Sequence, residues 1–256
     1  MVTLPVGTTG TRRKTYHGVT IGILMVETYF RRFVGDIGNA ETWPFPVQYR
    51  IVRGATPDGM TRLQGGSLLE PFKAAALSLI EDGVDGITTT CGFLALYQRE
   101  LAAACSVPVA TSALLQAPMV ERTLPAGRRV GVLTYSAEAL TPAHLEAVGA
   151  DRSTPVVGLP ADSVFRHWIS TGDPTVSYEV LQEEVLRACG TLMARGDIGA
   201  IVCECTNLTP FSSEMSRRFC VPVFDAVSLV QWFHQGLRPR DYPNGSAPMR
   251  TMTGST

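Results

Sequence analysis

Charge of either sign is never concentrated in this chain, long apolar runs are missing, and histidine is scarce. Lysine and arginine number 22 against 23 aspartates and glutamates, a net charge of −1, and the basic residues cluster no further than pairs such as Arg12-Arg13, Arg31-Arg32 and Arg217-Arg218. Nucleic-acid and membrane-surface binding both need a concentrated positive field, so neither partner is expected. The longest apolar stretches, of the "IGILMV" kind, are too short to span a bilayer. The opening segment, "MVTLPVGTTGTRRKTYHG", places its charges after its apolar residues and has no hydrophobic central region. It does not read as a secretory signal, and a cytoplasmic location is the expectation. The four histidines (His17, His144, His167, His234) show no metal-type spacing with the cysteines, and no metal is expected.

What the chain does have is cysteine, at positions 91, 105, 189, 203, 205 and 220. A disulfide framework is not expected in a cytosolic-looking chain of this size. Cys189 falls in a helical stripe with Leu181, Val185, Leu186, Leu192 and Met193, where a free cysteine serves as a small buried hydrophobe. Cys105 and Cys220 each precede a Val-Pro-Val strand and read the same way. The stretch "VCECTNL" (202–208) is different, because Cys203 and Cys205 stand one residue apart. That pair reads as a metal clip, a redox couple, or one working thiol beside a structural neighbour.

Strand-like apolar runs alternate with helical patterns along the chain, which predicts an α/β architecture with mostly parallel sheets. Strands are expected at 19–26, 46–52, "VDGITTTC", "VPVA", 128–135, "GAIVCEC" and "VPVF". Helices are expected over 67–83, from about Phe93, from Ser136 or Ala137, from Asp173 as N-cap with Pro174 in the first turn, and up to Gln235. The ends, 1–17 and 239–256, are rich in Gly, Ser, Thr and Pro and are expected to be flexible tails.

An internal repeat organises these elements. "VDGITTTCGFL" (84–94) set against "IGAIVCECTNL" (198–208) puts Ile87 on Ile201, Cys91 on Cys205 and Leu94 on Leu208, an offset of 114. The same ungapped offset brings Val107-Pro108-Val109 onto Val221-Pro222-Val223, and a nearby offset sets "IGILMVE" on "VGVLTYS". Duplication predicts two pseudo-symmetric α/β lobes with a cleft between them: 18–115 plus 224–238 as the first, 116–223 as the second. Each lobe then offers one cysteine at the carboxyl end of a strand just before a helix, where ligands bind in open α/β sheets. The helix dipole and free N–H groups there favour thiolate and accept a carboxylate. Cys203 lies two residues down the strand on the same face as Cys205, toward the interior, and its repeat partner is Thr89.

At these residues the sequence resembles the aspartate/glutamate racemase superfamily, cofactor-independent enzymes with two pseudo-symmetric lobes and a cysteine from each. "ECTNLTP" is similar to that family's second-cysteine motif, Gly-Cys-Thr followed by His or Glu, and "TTTCGFL" lies where its first cysteine occurs. "IGILMVET" resembles the first-strand motif ending in an acidic residue, and "GVLTYS" the second-lobe strand that helps hold the substrate carboxylate. The resemblance covers about 19–236. It departs at Gly92-Phe93, where amino-acid racemases commonly carry Asn-Thr, and at Asn207, where they carry His or Glu.

The resemblance implies a racemase or epimerase that inverts the α-carbon of an amino acid or related small carboxylate, with Cys91 and Cys205 as opposed acid–base groups and no cofactor. Donors for the developing charge are expected from the helix starts at 92–94 and 206–208, including Gly92, and from the Ser136 and Thr206 hydroxyls. Glu27 is a candidate to hold the substrate amino group or raise thiol basicity, or else an exposed salt bridge. Tyr135 and Phe93 either line the cleft or pack, and Asn207 contacts substrate or caps its helix. The long stretch 29–49 is expected to cover the cleft, with a subunit contact in a homo-oligomer as its competing role. Hydantoin racemases, maleate isomerases and decarboxylases or lyases using a cysteine nucleophile or proton donor are the alternatives on the same fold. A two-lobe small-molecule binder, and a metal or redox protein built on Cys203 and Cys205, are the alternatives outside it.

Overall fold

The computed structural model describes Lys14, residues 16–62 and residues 68–239. Most of the two expected tails therefore lies outside the described residues. Within the amino-terminal one, Lys14 Nζ is ion-paired with Asp85 at 2.6 Å.

Two four-stranded parallel sheets form the frame, with helices around them. The first contains β1 (Ile21–Val26), β2 (Val47–Val52), β3 (Gly86–Thr89) and β4 (Val109–Ala110) in the order β2-β1-β3-β4. The second contains β5 (Arg129–Thr134), β6 (Val156–Gly158), β7 (Ile198–Cys203) and β8 (Val223–Phe224) in the order β6-β5-β7-β8. The two orders are the same pattern twice. Central strands of parallel sheets are covered on both faces, so they read as continuous apolar runs, as "IGILMV" and "RVGVLT" do.

Nine α-helices cover the sheets: α1 (Pro57–Thr61), α2 (Leu69–Glu81), α3 (Gln98–Ala104), α4 (Ala117–Glu121), α5 (Pro142–Ala147), α6 (Val164–Thr171), α7 (Tyr178–Met193), α8 (Ser212–Phe219) and α9 (Ala226–Leu237), counted among the described residues. α2 turns Phe72, Ala76 and Leu79 inward at helical spacing, and α7 does the same with Leu181, Val185, Cys189 and Leu192. The repeat reaches into this packing. Gly22 on β1 and Gly131 on β5 leave out the β-carbon that would otherwise meet Leu79 Cδ1 at 2.9 Å and Leu192 Cδ2 at 2.8 Å. Each lobe thus seats its long helix over a glycine of its central strand.

The halves are not separate bodies. One core cluster runs from Leu24, Phe72 and Ile87 through Leu114 to Val130, Val132 and Val202. β8 belongs to the second sheet, whereas α9, directly after it, packs Ala226 and Val230 in one cluster with Ile21 and Ile23 of the first. Among the described residues no helix is long and apolar enough to cross a membrane.

Several local expectations are corrected. The helix expected at Ser136 or Ala137 begins at Pro142, because Thr141 and His144 form the reciprocal capping box that stabilises a helix start. Asp173 does not cap a helix. Its Oδ1 accepts from Thr175 N and Oγ1 at 2.9 and 2.7 Å, closing a turn, and Ser177 caps α7. The helix expected from Phe93 begins as a 3₁₀ helix, Gly92–Tyr97, before α3. Cys220 is not a buried hydrophobe. It is exposed and ends α8 in the left-handed region at φ 53°. Cys189 and Cys203 are fully buried, and Cys105 is half-buried.

Candidate active site

The 114-residue offset holds at atomic detail where the site is built. Ile87 N donates to Pro108 O at 3.0 Å and Ile201 N to Pro222 O at 2.9 Å. Beyond these strands, 3₁₀ helices Gly92–Tyr97 and Thr206–Phe211 start immediately after Cys91 and Cys205, each cysteine serving as N-cap in extended conformation. Leu94 N closes onto Cys91 O at 3.2 Å and Leu208 N onto Cys205 O at 3.1 Å. Both thiols consequently face one cleft between the lobes.

That cleft holds about 50 Å³ and is lined by Cys91, Cys205, Gly92, Phe93, Tyr135, Thr206 and Asn207, all expected site residues. On this scale one water needs roughly 10–15 Å³, so the space suits a small molecule of a few heavy atoms. Two expected residues are not brought there. Glu27 lines a separate hollow with Tyr29 and Asp58, its carboxylate accepting from Arg53 Nη1 at 2.6 Å and Gly54 N at 2.9 Å. Ser136 is absent from the lining, and its hydroxyl donates to Glu138 Oε2 at 2.7 Å. Thr206 lines the cleft, but its hydroxyl proton goes to Thr90 O at 2.8 Å, tying one lobe to the other.

The segment after β1 closes one side. Thr28, Phe30 and Arg32 line the cleft, while Phe30 packs on Trp168 of α6 in the second lobe, ring centres 4.6 Å apart. Farther on, Trp43 joins Ile21, Ile23 and Val230 in the core, so the later part of 29–49 packs on the first lobe instead. Arg32 is held by Asp36 Oδ1 and Thr28 Oγ1, both at 2.7 Å. Asp36 Oδ2 accepts from Asn207 Nδ2 at 2.7 Å, and Asn207 Oδ1 lies 3.7 Å from Cys205 Sγ. A chain of polar contacts therefore runs from the covering segment to the second thiol.

Glu204, like Phe30 and Arg32, was missed by sequence reasoning. It is 1% exposed, lines the cleft, and accepts from Thr134 Oγ1 at 2.6 Å through Oε2. Its Oε1 is buried without a hydrogen-bond partner among the described residues. Burial pushes its carboxyl up to about 7. Gly92 makes the room: a β-carbon there would lie 2.1 Å from Glu204 O and 2.3 Å from its Oε1. The signal available was a lone carboxylate inside an apolar strand end, between the two cysteines.

The electrostatics also correct an expectation. The helix starts were expected to favour thiolate, and the N–H groups of Phe93 and Leu94 at Cys91, and of Asn207 at Cys205, do pull that way. Burial opposes them and wins, with the Glu204 carboxylate adding to it, so both thiols are held well above the ordinary range. Both effects favour the protonated thiol.

The two like parallel-sheet lobes repeat the fold of solved decarboxylase and racemase structures. Among solved structures, the chain superposes on arylmalonate decarboxylase with a TM-score of 0.58 at 17% identity, covering 85% of this chain and 92% of that one. It superposes on allantoin racemase from Klebsiella pneumoniae with a TM-score of 0.56 at 18% identity, over 86% and 87%. In sequence it is similar to a dimethylsulfoniopropionate lyase from Durusdinium sp. clade D, 27% identical over 225 residues, 85% of this chain and 74% of that protein. It is also similar to dimethylsulfoniopropionate lyase 6 of Emiliania huxleyi (strain CCMP1516), 26% identical over 234 residues, 82% of this chain and 57% of that protein. No family model matches.

Proposed function

We propose that this chain is a lyase that takes the α-proton of a small β-substituted carboxylate and expels the β-substituent, with dimethylsulfoniopropionate as the substrate to test first. The observation that carries the reading is the placement of both thiols in one small buried cleft, in a chain whose curated relatives are named as lyases. The racemases that share the fold and this elimination begin with the same event, removal of a proton next to a carboxylate or carbonyl group. The substrate decides the second step. With a leaving group on the β-carbon, the electron pair left at the α-carbon forms the C=C bond as the C–S bond breaks, giving dimethyl sulfide and acrylate.

One thiolate suffices as base for this reaction, because the product has no stereocentre to set. The backbone N–H groups of Gly92, Phe93, Thr206 and Asn207 and the Arg32 guanidinium are the groups to receive the substrate carboxylate and the charge that grows on it. Phe93 offers a ring to a sulfonium cation, whereas the Tyr135 ring already carries the Arg166 guanidinium 5.0 Å from its centre. Asn207, held by Asp36, orients the second thiol.

The second reading is a racemase of a small α-substituted acid, and the matched pair of thiols favours it. One experiment separates the two. The purified chain is given dimethylsulfoniopropionate, and dimethyl sulfide and acrylate are measured; in parallel, α-deuterium uptake from D2O is followed on amino acids, hydantoins and dicarboxylates. Sulfide with acrylate supports the lyase, and exchange with inversion on the panel supports the racemase. If neither occurs, both fail.

A further inference from the structure

Proton abstraction by a thiolate leaves the resting thiols unexplained, since neither buried sulfur is set up to lose its proton unaided. Glu204 faces them. Its Oε1 is fully buried and without a hydrogen-bond partner among the described residues, neither thiol included, in a residue that lines the cleft with both cysteines. The matching position in the first lobe is Thr90, whose hydroxyl accepts from Val26 N at 3.0 Å and so completes a strand end. Glu204 performs no such local task with Oε1. Two positions are shaped to admit it: Gly92 gives up its β-carbon and so leaves room for Oε1, and Thr134 holds Oε2.

We propose that Glu204 is the proton acceptor that arms the thiols: an Sγ–H bond of Cys91 or Cys205 breaks, the proton crosses the cleft through solvent to Glu204 Oε1, and the electron pair stays on sulfur. The thiolate then takes the substrate α-proton, and the carboxylic acid later returns its proton to solvent. Sulfur is restored, no redox change occurs, and the released proton balances the one removed from substrate. Glu204 acts through the sulfurs, so it is a positioning and activating residue and does not touch the substrate.

Charge counting favours this arrangement. A thiolate beside an ionised Glu204 would put two negative charges in one buried cleft, whereas passing the proton between them keeps a single charge, shared by coupled groups. The other ionisable groups around the cleft are Tyr135 at the end of β5 and the Arg32–Asp36 pair, whose charges offset one another at 2.7 Å. A carboxyl that titrates near 7 changes state in the range where such an enzyme works.

This role for Glu204 takes its purpose from the α-proton reading, but it is tested on the resting thiols without substrate. The rate of iodoacetamide alkylation of Cys91 and Cys205 is followed by peptide mass spectrometry on the full chain across pH 5.5–9.5. In the parent, reactivity rises to a step near pH 7 and levels before a second rise, because a single charge is divided between oxygen and sulfur. Glu204→Gln removes the step and leaves one climb of about tenfold per pH unit. Thr134→Val removes a hydrogen bond that favours the ionised carboxyl, so the step moves to higher pH. A profile without a step in the parent, or one unchanged in Glu204→Gln, overturns the proposal. If Glu204→Gln does not fold, an unmoved step in Thr134→Val overturns it equally. An intact step in a protein that turns over no carboxylate tested would sink the lyase reading and leave this one standing.

Discussion

Thr90 and Glu204 occupy one position in the two halves of the molecule and use it differently. Thr90 N donates to Leu24 O at 2.9 Å and Glu204 N to Leu133 O at 2.8 Å, so the backbones are equivalent. The Thr90 side chain finishes a strand end, whereas that of Glu204 reaches across the lobe boundary to Gly92. The symmetry that places two equal thiols is broken by this one carboxyl.

Replacing either thiol is expected to cost the reaction most of its rate. Cys91→Ser and Cys205→Ser each lose the acid–base partner, worth roughly 10²- to 10⁴-fold. Under the lyase reading one variant falls much further than the other, since one base does the work. Under the racemase reading both fall together. Comparison of kcat/KM for the two variants decides between them, and parent-like rates in both would rule out a cysteine mechanism.

Glu204 makes stability depend on pH with a definite sign. Its folded carboxyl binds a proton more tightly than an ordinary glutamate, which titrates at 4.5, so the stabilisation is complete below about 4.5 and is lost as pH rises through about 7. In Glu204→Gln that loss disappears, and the difference amounts to at most about 3 kcal/mol. Asp225 is raised as well and is common to both proteins, so it cancels in the comparison. Urea unfolding of the parent and the variant at several pH values between 4.5 and 7.5 measures it; parallel curves would show that the carboxyl is not buried.

Gly92→Ala is expected to be costly out of proportion to one methyl group. The new carbon meets a backbone carbonyl and a carboxylate oxygen, and neither can yield without moving the strand end. Overpacking of this kind costs about 3 kcal/mol. A urea midpoint equal to the parent's would mean that Glu204 does not lie against Gly92.

Breaking the Arg32–Asp36 pair should destabilise the covering segment. Asp36 is 2% exposed and holds Arg32, Gly38 N and Asn207 together. Asp36→Ala leaves a half-buried guanidinium without its partner, at roughly 3–5 kcal/mol. Removing both charges, in Arg32→Met with Asp36→Leu, should recover much of that loss while substrate binding stays weak. Recovery of both together would place Arg32 outside the binding site.

Much of the frame was legible in the chain. Continuous apolar runs marked the central strands because a parallel sheet buries both of their faces, and the ungapped register from Cys91 to Val109 marked the duplication because each lobe repeats a strand–turn–helix unit. Shorter pieces escaped notice. β6 is three residues long and α1 five, too few for any period to show, and α6 is only eight. Helix starts shifted wherever a side chain had a choice of partners, as Asp173 did between a cap and a turn.

For the site, the order of residues alone determined which cysteines correspond, because correspondence is a matter of register along the chain. It could not determine what surrounds them. Glu27 and Ser136 stand at strand ends that face the cleft in the pattern, yet local donors and acceptors, Arg53 and Glu138, draw their side chains to other partners. Arg32, Phe30 and Glu204 enter because the two lobes close on one another, and contacts between lobes follow no periodicity within either. The sequence by itself settled where the thiols are. Only the tertiary structure decided that burial and the Glu204 carboxyl would both favour the protonated thiols, since burial is set by packing and Glu204 meets Cys91 only across the lobes.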